Sequence, residues 1–181
     1  LQDCLGIKYI DSSYLKNQII NCARHQFIEG DVLHWWHNET KKGIRTKFSD
    51  DLLWLVYACL EYIDFENDLS ILDENIEYLN GEILKEGEDE KYNLYYGSNT
   101  KESLFNHCIR AINHTLEKGI DPFPKIGVGD WNDGFSKIGD KGKGQSIWLG
   151  FFLYDILNRF IPICKEKDRN DLVEKYTIEK E

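Results

Sequence analysis

Ser49-Asp50-Asp51-Leu52-Leu53-Trp54-Leu55-Val56-Tyr57-Ala58-Cys59-Leu60-Glu61-Tyr62-Ile63, residues 49–63, is the stretch on which the fold reading turns. From Leu52 to Ile63 it is apolar on most sides, which is the pattern of a helix buried all round. Ser49, Asp50 and Asp51 read as its start. A short oxygen-bearing side chain accepts from the free N–H groups, and carboxylates favour the positive end of the dipole. A carboxylate pair therefore stands at the mouth of a buried helix.

Outward from this helix the same period recurs. Tyr14, Leu15, Ile19, Cys22, Ala23 and Phe27 share one helical face, with Asp11, Ser12 and Ser13 as N-cap candidates and Gly30 past the end. A short helix is expected over Leu69 to Leu79, ended by Gly81. Thr100 is expected to cap a helix with face Leu104, His107, Cys108, Ala111 and Thr115, ended by Gly119. Gln145 to Cys164 should be a long helix with Ile147, Phe151, Tyr154, Leu157 and Phe160 on one side and Pro162 at its last turn. The charged tail, Lys165 to Glu181, reads as an amphipathic helix lacking a packing partner. Glu82 to Ser98 shows no clear period and reads as loop with a short strand. Helix, long loop, helix without alternating strands predicts an all-α architecture, helix on helix.

The 181 residues suffice for one domain with a substantial core, and 41% hydrophobic content fits a folded chain. Lys plus Arg is 22 and Asp plus Glu 32, a formal charge of −10. With no basic stripe, nucleic acid and anionic membrane are not expected partners. Five cysteines (Cys4, Cys22, Cys59, Cys108, Cys164) form no Cys-x-x-Cys pair, which favours a reducing compartment and a cytoplasmic location. No signal-peptide core appears, and no apolar run approaches about 18 residues. Because the chain contains no methionine, it reads as an internal piece of a longer protein.

The most chemically pointed stretch is Gly129-Asp130-Trp131-Asn132-Asp133-Gly134, two carboxylates and an indole on a glycine-framed loop. It fits a sugar site, with Trp131 stacking on a pyranose face and Asp133 beside it. It also fits a hydrated turn whose tryptophan anchors the loop. Three other site types fail on spacing. Gly139 to Ser146 resembles a phosphate loop, but Gln145 stands where the lysine is required. Asp130-x-Asn132 starts like a calcium loop, but the glycine is one position early and Lys141 replaces the bidentate glutamate. His34-Trp35-Trp36-His37 lacks zinc-protease spacing, and its histidines read as hydrogen-bonding groups beside aromatic walls. His107 and His114 read as satisfied structural histidines rather than ligands. No metal and no cofactor are expected. What remains is Asp50, Asp51, Asp130 and Asp133, one arginine, Arg45, and Trp35, Trp36 and Trp131. Together these are a plausible set for holding sugar hydroxyls and protonating a glycosidic oxygen.

Four blocks, His25 to His37, Gly43 to Leu55, Gly129 to Gly134 and Gly142 to Gly150, together resemble the catalytic domain of glycoside hydrolase family 94, most clearly over residues 25–150. This is the family of cellobiose, cellodextrin and chitobiose phosphorylases, and it supplies a domain of cyclic β-1,2-glucan synthases. The double tryptophan looks more like the latter branch. Lys47 and Phe135 are mild departures from the family pattern.

The resemblance implies part of an (α/α)6 barrel and inverting phosphorolysis of β-glucosidic bonds to α-glucose 1-phosphate. It also implies that Asp133 is the general acid and that Trp131, Arg45 and Asp51 hold the sugar, with Asp50 and Asp130 beside them. The partners would be a β-linked gluco-oligosaccharide and inorganic phosphate, the latter as co-substrate, and a homodimer of the full-length protein stays open. Phosphate is already anionic, so no carboxylate base is needed. The family's phosphate-holding histidine and Thr-Gly pair find no counterpart here, and an isolated piece would be inactive. An inverting hydrolase of the same type and a non-catalytic carbohydrate-binding remnant are the alternatives. The reading requires Asp133 to face a cavity and to lie near Arg45.

Overall fold

A computed structural model describes residues 1–116, 123–139 and 141–181. The chain runs α1 (Gln2–Ile7), α2 (Ser12–Ala23), β1 (Leu33–His37), β2 (Lys42–Thr46), α3 (Asp51–Glu66), a 3-10 turn (Leu69–Asp73), β3 (Asn75–Asn80), β4 (Glu90–Leu94), β5 (Tyr96–Ser103), α4 (Leu104–Thr115), a 3-10 turn (Asp133–Phe135), α5 (Ile147–Glu166) and α6 (Asn170–Lys180).

The helices form one core. The central helix, α3, buries Leu52, Leu53, Leu55, Val56, Ala58, Cys59, Leu60, Tyr62 and Ile63, in keeping with a sequence apolar on most sides. It packs among α2, α4 and α5, whose buried residues join the same cluster. Asp11 caps α2 by accepting from Ser13 N. Ser103, not Thr100, caps α4 by accepting from Asn106 N; Thr100 lies further back, within β5.

The expected stripe on α5 is displaced. Leu149, Leu153, Ile156, Leu157, Phe160, Ile163 and Cys164 are buried, while Ile147, Phe151 and Tyr154 are exposed. By length and composition α5 is the one described helix able to cross a membrane. Here its buried stripe packs on α3 and α6. The tail does find a partner: α6 buries Leu172 and Tyr176, and the Tyr176 hydroxyl donates to Asn113 Oδ1. Gly119 and the start of the loop at Asp121 lie outside the described residues.

The expectation of an all-α chain, part of an (α/α)6 barrel, is wrong: among the described residues five strands form two antiparallel sheets, ordered β1-β2-β4 and β3-β5, and the structure is mixed α and β. The expected helix over Leu69 to Leu79 is a short 3-10 turn followed by β3. Ile76 and Tyr78 are buried while Glu77 between them is not, a period of two that apolar residues at Ile71, Leu72, Ile76 and Leu79 disguise as helical. The other strands carry weaker signals. β5, Tyr96–Ser103, is almost wholly polar, and β2 meets β4 from more than forty positions away, pairing Ile44 with Tyr92. Strand identity here comes from a distant partner rather than from local pattern.

Candidate active site

The first site element is the corner between β2 and α3. Asp50 occupies the N-cap position of α3 but makes no side-chain cap bond. Its Oδ2 instead accepts from Trp54 Nε1 at 3.0 Å, one helical turn along. The carboxyl is only 6% exposed. Burial, set against the Trp54 bond and reinforced by the charges of Asp51 and Asp130, raises its pKa to about 6.

Asp51 faces strand β1, where its Oδ2 lies 2.7 Å from His34 Nδ1. The His34 ring stacks on Phe48 at 4.7 Å. The Asp51 bond raises the His34 pKa above its ordinary value; burial opposes this, and the charges of Asp133 and Asp50 assist it. His34 is thus favoured as an imidazolium among carboxylates.

The second element is the loop Gly129–Gly134, joined to the first by backbone. Val128 N donates to Lys47 O, and Ser49 N and Oγ both donate to Gly129 O. That approach requires two glycines. A Cβ on Gly127, whose φ is +62°, would lie 1.9 Å from Lys47 O, and one on Gly129 would lie 2.5 Å from the Phe48 ring. Asp130 then braces the loop. It accepts from Asn132 N and from Ser146 Oγ, and Ser146 in turn caps α5 through Leu149 N. Beyond this brace Trp131 is 58% exposed, with its ring 6.4 Å from that of Trp148. Asp133 opens the following 3-10 turn. Among the described residues its carboxyl accepts no hydrogen bond.

These elements line one cavity of about 570 Å³, within the range of small-molecule sites. Asp50, Asp51, Asp130, Trp131 and Asp133 meet there, together with Trp35 and Trp36. Among the other residues that line it, His34 and Trp54 bond the site carboxylates and were left out of the site by sequence reasoning. The signal for Trp54 was its four-residue spacing from Asp50; for His34 it was the imidazole next to the double tryptophan.

Arg45 is not on this cavity. It pairs with Leu33 across the β1–β2 ladder and is 1% exposed. All five of its N–H groups are spent: two on Asp31, one on Glu29, and one each on the carbonyls of Gly81 and Glu82. Its guanidinium also lies 3.8 Å above the Phe27 ring. No donor is left for a sugar, and the cavity that Asp133 lines does not include Arg45. Arg45 is held within β2, whereas Asp50 and Asp51 stand beyond its end at the head of α3.

The remaining candidates are structural. His107 is buried between Gln26 and Ile76 O and stacks on Tyr78, and burial lowers its pKa to about 4. His114 bonds Glu29 O. The would-be phosphate loop ends in the Ser146 cap, and Gln145 donates to Phe123 O. Among the described residues no three histidine, cysteine, aspartate or glutamate side chains converge on a point that could hold a metal ion.

Asp50 yields a test with a definite sign. Its native pKa is raised from 3.8 to about 6, so between those values the folded chain holds more protons than the unfolded one. Stability therefore falls as pH rises through that window, and the penalty is complete above about pH 6. Asp50→Asn keeps an acceptor for Trp54 and removes the buried charge. It should raise thermal stability at pH 7.5, by on the order of 3 kcal/mol from a shift of about two units, and not at pH 4. Equal effects at both pH values in thermal melts would refute this account of the group.

Comparison with known proteins places the site in a family. The description "Glycosyl hydrolase 94 superfamily, catalytic domain" matches residues 1–181. The chain is 36% identical to cyclic beta-(1,2)-glucan synthase NdvB of Rhizobium meliloti over 97% of its own length and 6% of that protein. It is 24% identical to solabiose phosphorylase of Paenibacillus borealis, covering 99% of this chain and 21% of the relative. It is also 24% identical to cellobionic acid phosphorylase of Neurospora crassa, covering 97% and 21%. It therefore spans about a fifth or less of the relatives it matches. With matching residues running from the first to the last of the chain, this protein belongs to the glycosyl hydrolase 94 superfamily, within its catalytic domain.

Proposed function

We propose that this chain carries the sugar-holding and proton-donating side of an inverting glycoside phosphorylase site acting on β-linked gluco-oligosaccharides. The observation that carries the reading is the meeting of Asp133, whose carboxyl accepts no hydrogen bond among the described residues, and the exposed indole of Trp131 on a cavity already walled by Asp50, Asp51 and His34. Similarity to two disaccharide phosphorylases and a glucan synthase supports the substrate class.

In this reading Trp131 stacks on the glucosyl ring whose bond is cut, and the carboxylates of Asp50 and Asp51 accept from its hydroxyls. His34 orients Asp51 through the contact between its Nδ1 and Asp51 Oδ2. Asp133 gives its proton to the glycosidic oxygen as the C1–O bond breaks, and an orthophosphate oxygen forms the new bond to C1 from the opposite face. Inversion turns the β-glucoside into α-glucose 1-phosphate and frees the shortened sugar. Phosphate arrives as an anion and needs no carboxylate base, and the cations that hold it would come from parts of the parent protein outside this chain.

Asp50 and Asp51 on the same cavity also favour a second reading, an inverting hydrolase with a water-activating carboxylate about 6.5–9.5 Å from the acid. Incubating the full-length parent with β-linked gluco-oligosaccharides separates the two. Phosphate-dependent release of α-glucose 1-phosphate is the expected result. Sugar release at the same rate without phosphate would establish the hydrolase, and no turnover of any linkage would leave carbohydrate binding alone.

A further inference from the structure

The outer face of the β1-β2-β4 sheet carries an aromatic surface that the reaction above does not use. The register sets two rows of side chains across three strands, Trp35–Ile44–Tyr92 and His37–Lys42–Leu94. Trp35 is 43% exposed and Tyr92 51%. They sit on the outer two strands, so their backbones are about 9–10 Å apart, yet their ring centroids are 5.5 Å apart. Both rings therefore lean over the half-buried Ile44 and form a continuous aromatic cover. His37 meets the edge of Trp35, and Lys42 Nζ lies 5.9 Å from the Tyr92 ring. Trp35 is at the same time a wall of the candidate active-site cavity.

We propose that this face is a binding track for the part of a β-glucan chain that extends beyond the cavity, beginning at Trp35 and continuing over Tyr92. The proposal rests on the phosphorylase reading for the ligand class; the geometry supplies the place. A neutral, hydroxyl-rich ring presents C–H faces to aromatic rings, and the His37 and Lys42 N–H groups at the edge offer donors to its hydroxyls. The track opens directly from the site, so a chain leaving the cavity past Trp35 meets Tyr92 next. A chain too short to pass Trp35 gains nothing from it.

The test uses the full-length parent and linear β-linked gluco-oligosaccharides of graded length. For Tyr92→Ala, kcat/KM should fall about tenfold on the longest substrates, the size of one lost aromatic contact. The shortest cleaved substrate should stay close to wild type, and Tyr92→Phe should behave as wild type throughout. The same series is titrated calorimetrically into Asp133→Asn with and without Tyr92→Ala, which reads the track without turnover. Length-dependent affinity that Tyr92→Ala removes supports the track even if no phosphorolysis is found, and then only the function reading fails. Unchanged length dependence in Tyr92→Ala, absence of glucan binding, or equal losses at every length with a lowered melting temperature would each overturn it. The last outcome would mean that another part of the protein packs on this face.

Discussion

Arg45→Met is expected to cost about 3–5 kcal/mol of stability, the usual size of breaking a buried ion pair from one side. The change strands Asp31, half-buried Glu29 and the carbonyls of Gly81 and Glu82, all of which bond this one guanidinium. It also removes the cation from above Phe27. Natural domains hold only about 5–15 kcal/mol in total, so the variant should give a much lower unfolding temperature or no soluble protein. Arg45→Lys keeps the charge without the planar fork and should fall between the two. Thermal melts decide the matter against the role that family resemblance implies. A sugar-binding arginine, when replaced, would leave the melting temperature alone and raise KM, and that pattern would sink the structural assignment.

Asp133→Asn is expected to lower phosphorolysis by about 10²–10⁴, the usual worth of a positioned general acid, with no loss of stability. The carboxyl is exposed and without a hydrogen-bond partner among the described residues, so the amide substitutes in place. A second measurement identifies the step. Substrates whose leaving group needs no proton, such as a glucosyl fluoride in the presence of phosphate, should recover most of the rate in the variant. Equal losses on protonated and unprotonated leaving groups would mean that Asp133 positions the sugar rather than supplying the proton.

How much of this was readable beforehand follows from the range of each force. The helices α2, α3, α4 and α5 were legible because a buried face repeats every three to four residues within a single segment. The strands were not, because a strand as polar as Tyr96–Ser103 is defined by its partner β3, and Lys42–Thr46 by Glu90–Leu94. The cluster of carboxylates with Trp131 was legible as chemistry. Its assembly depended on two glycines that let Lys47 to Ser49 and Gly127 to Gly129 run side by side.

Arg45 marks the boundary between the two kinds of information. The amino-acid sequence by itself determined which groups are available: a buried helix headed by two carboxylates, a looped indole with an acid two positions on, and an arginine shortly ahead of the helix. Only the tertiary structure decided which of them meet. Arg45 lies inside β2, where it enters a cage of acids and carbonyls, whereas Asp50 and Asp51 stand past the end of that strand, at the head of α3, and reach the cavity. Spacing along a chain fixes distance along the backbone, whereas the side on which a group emerges is set by the partner strand and the core it packs against.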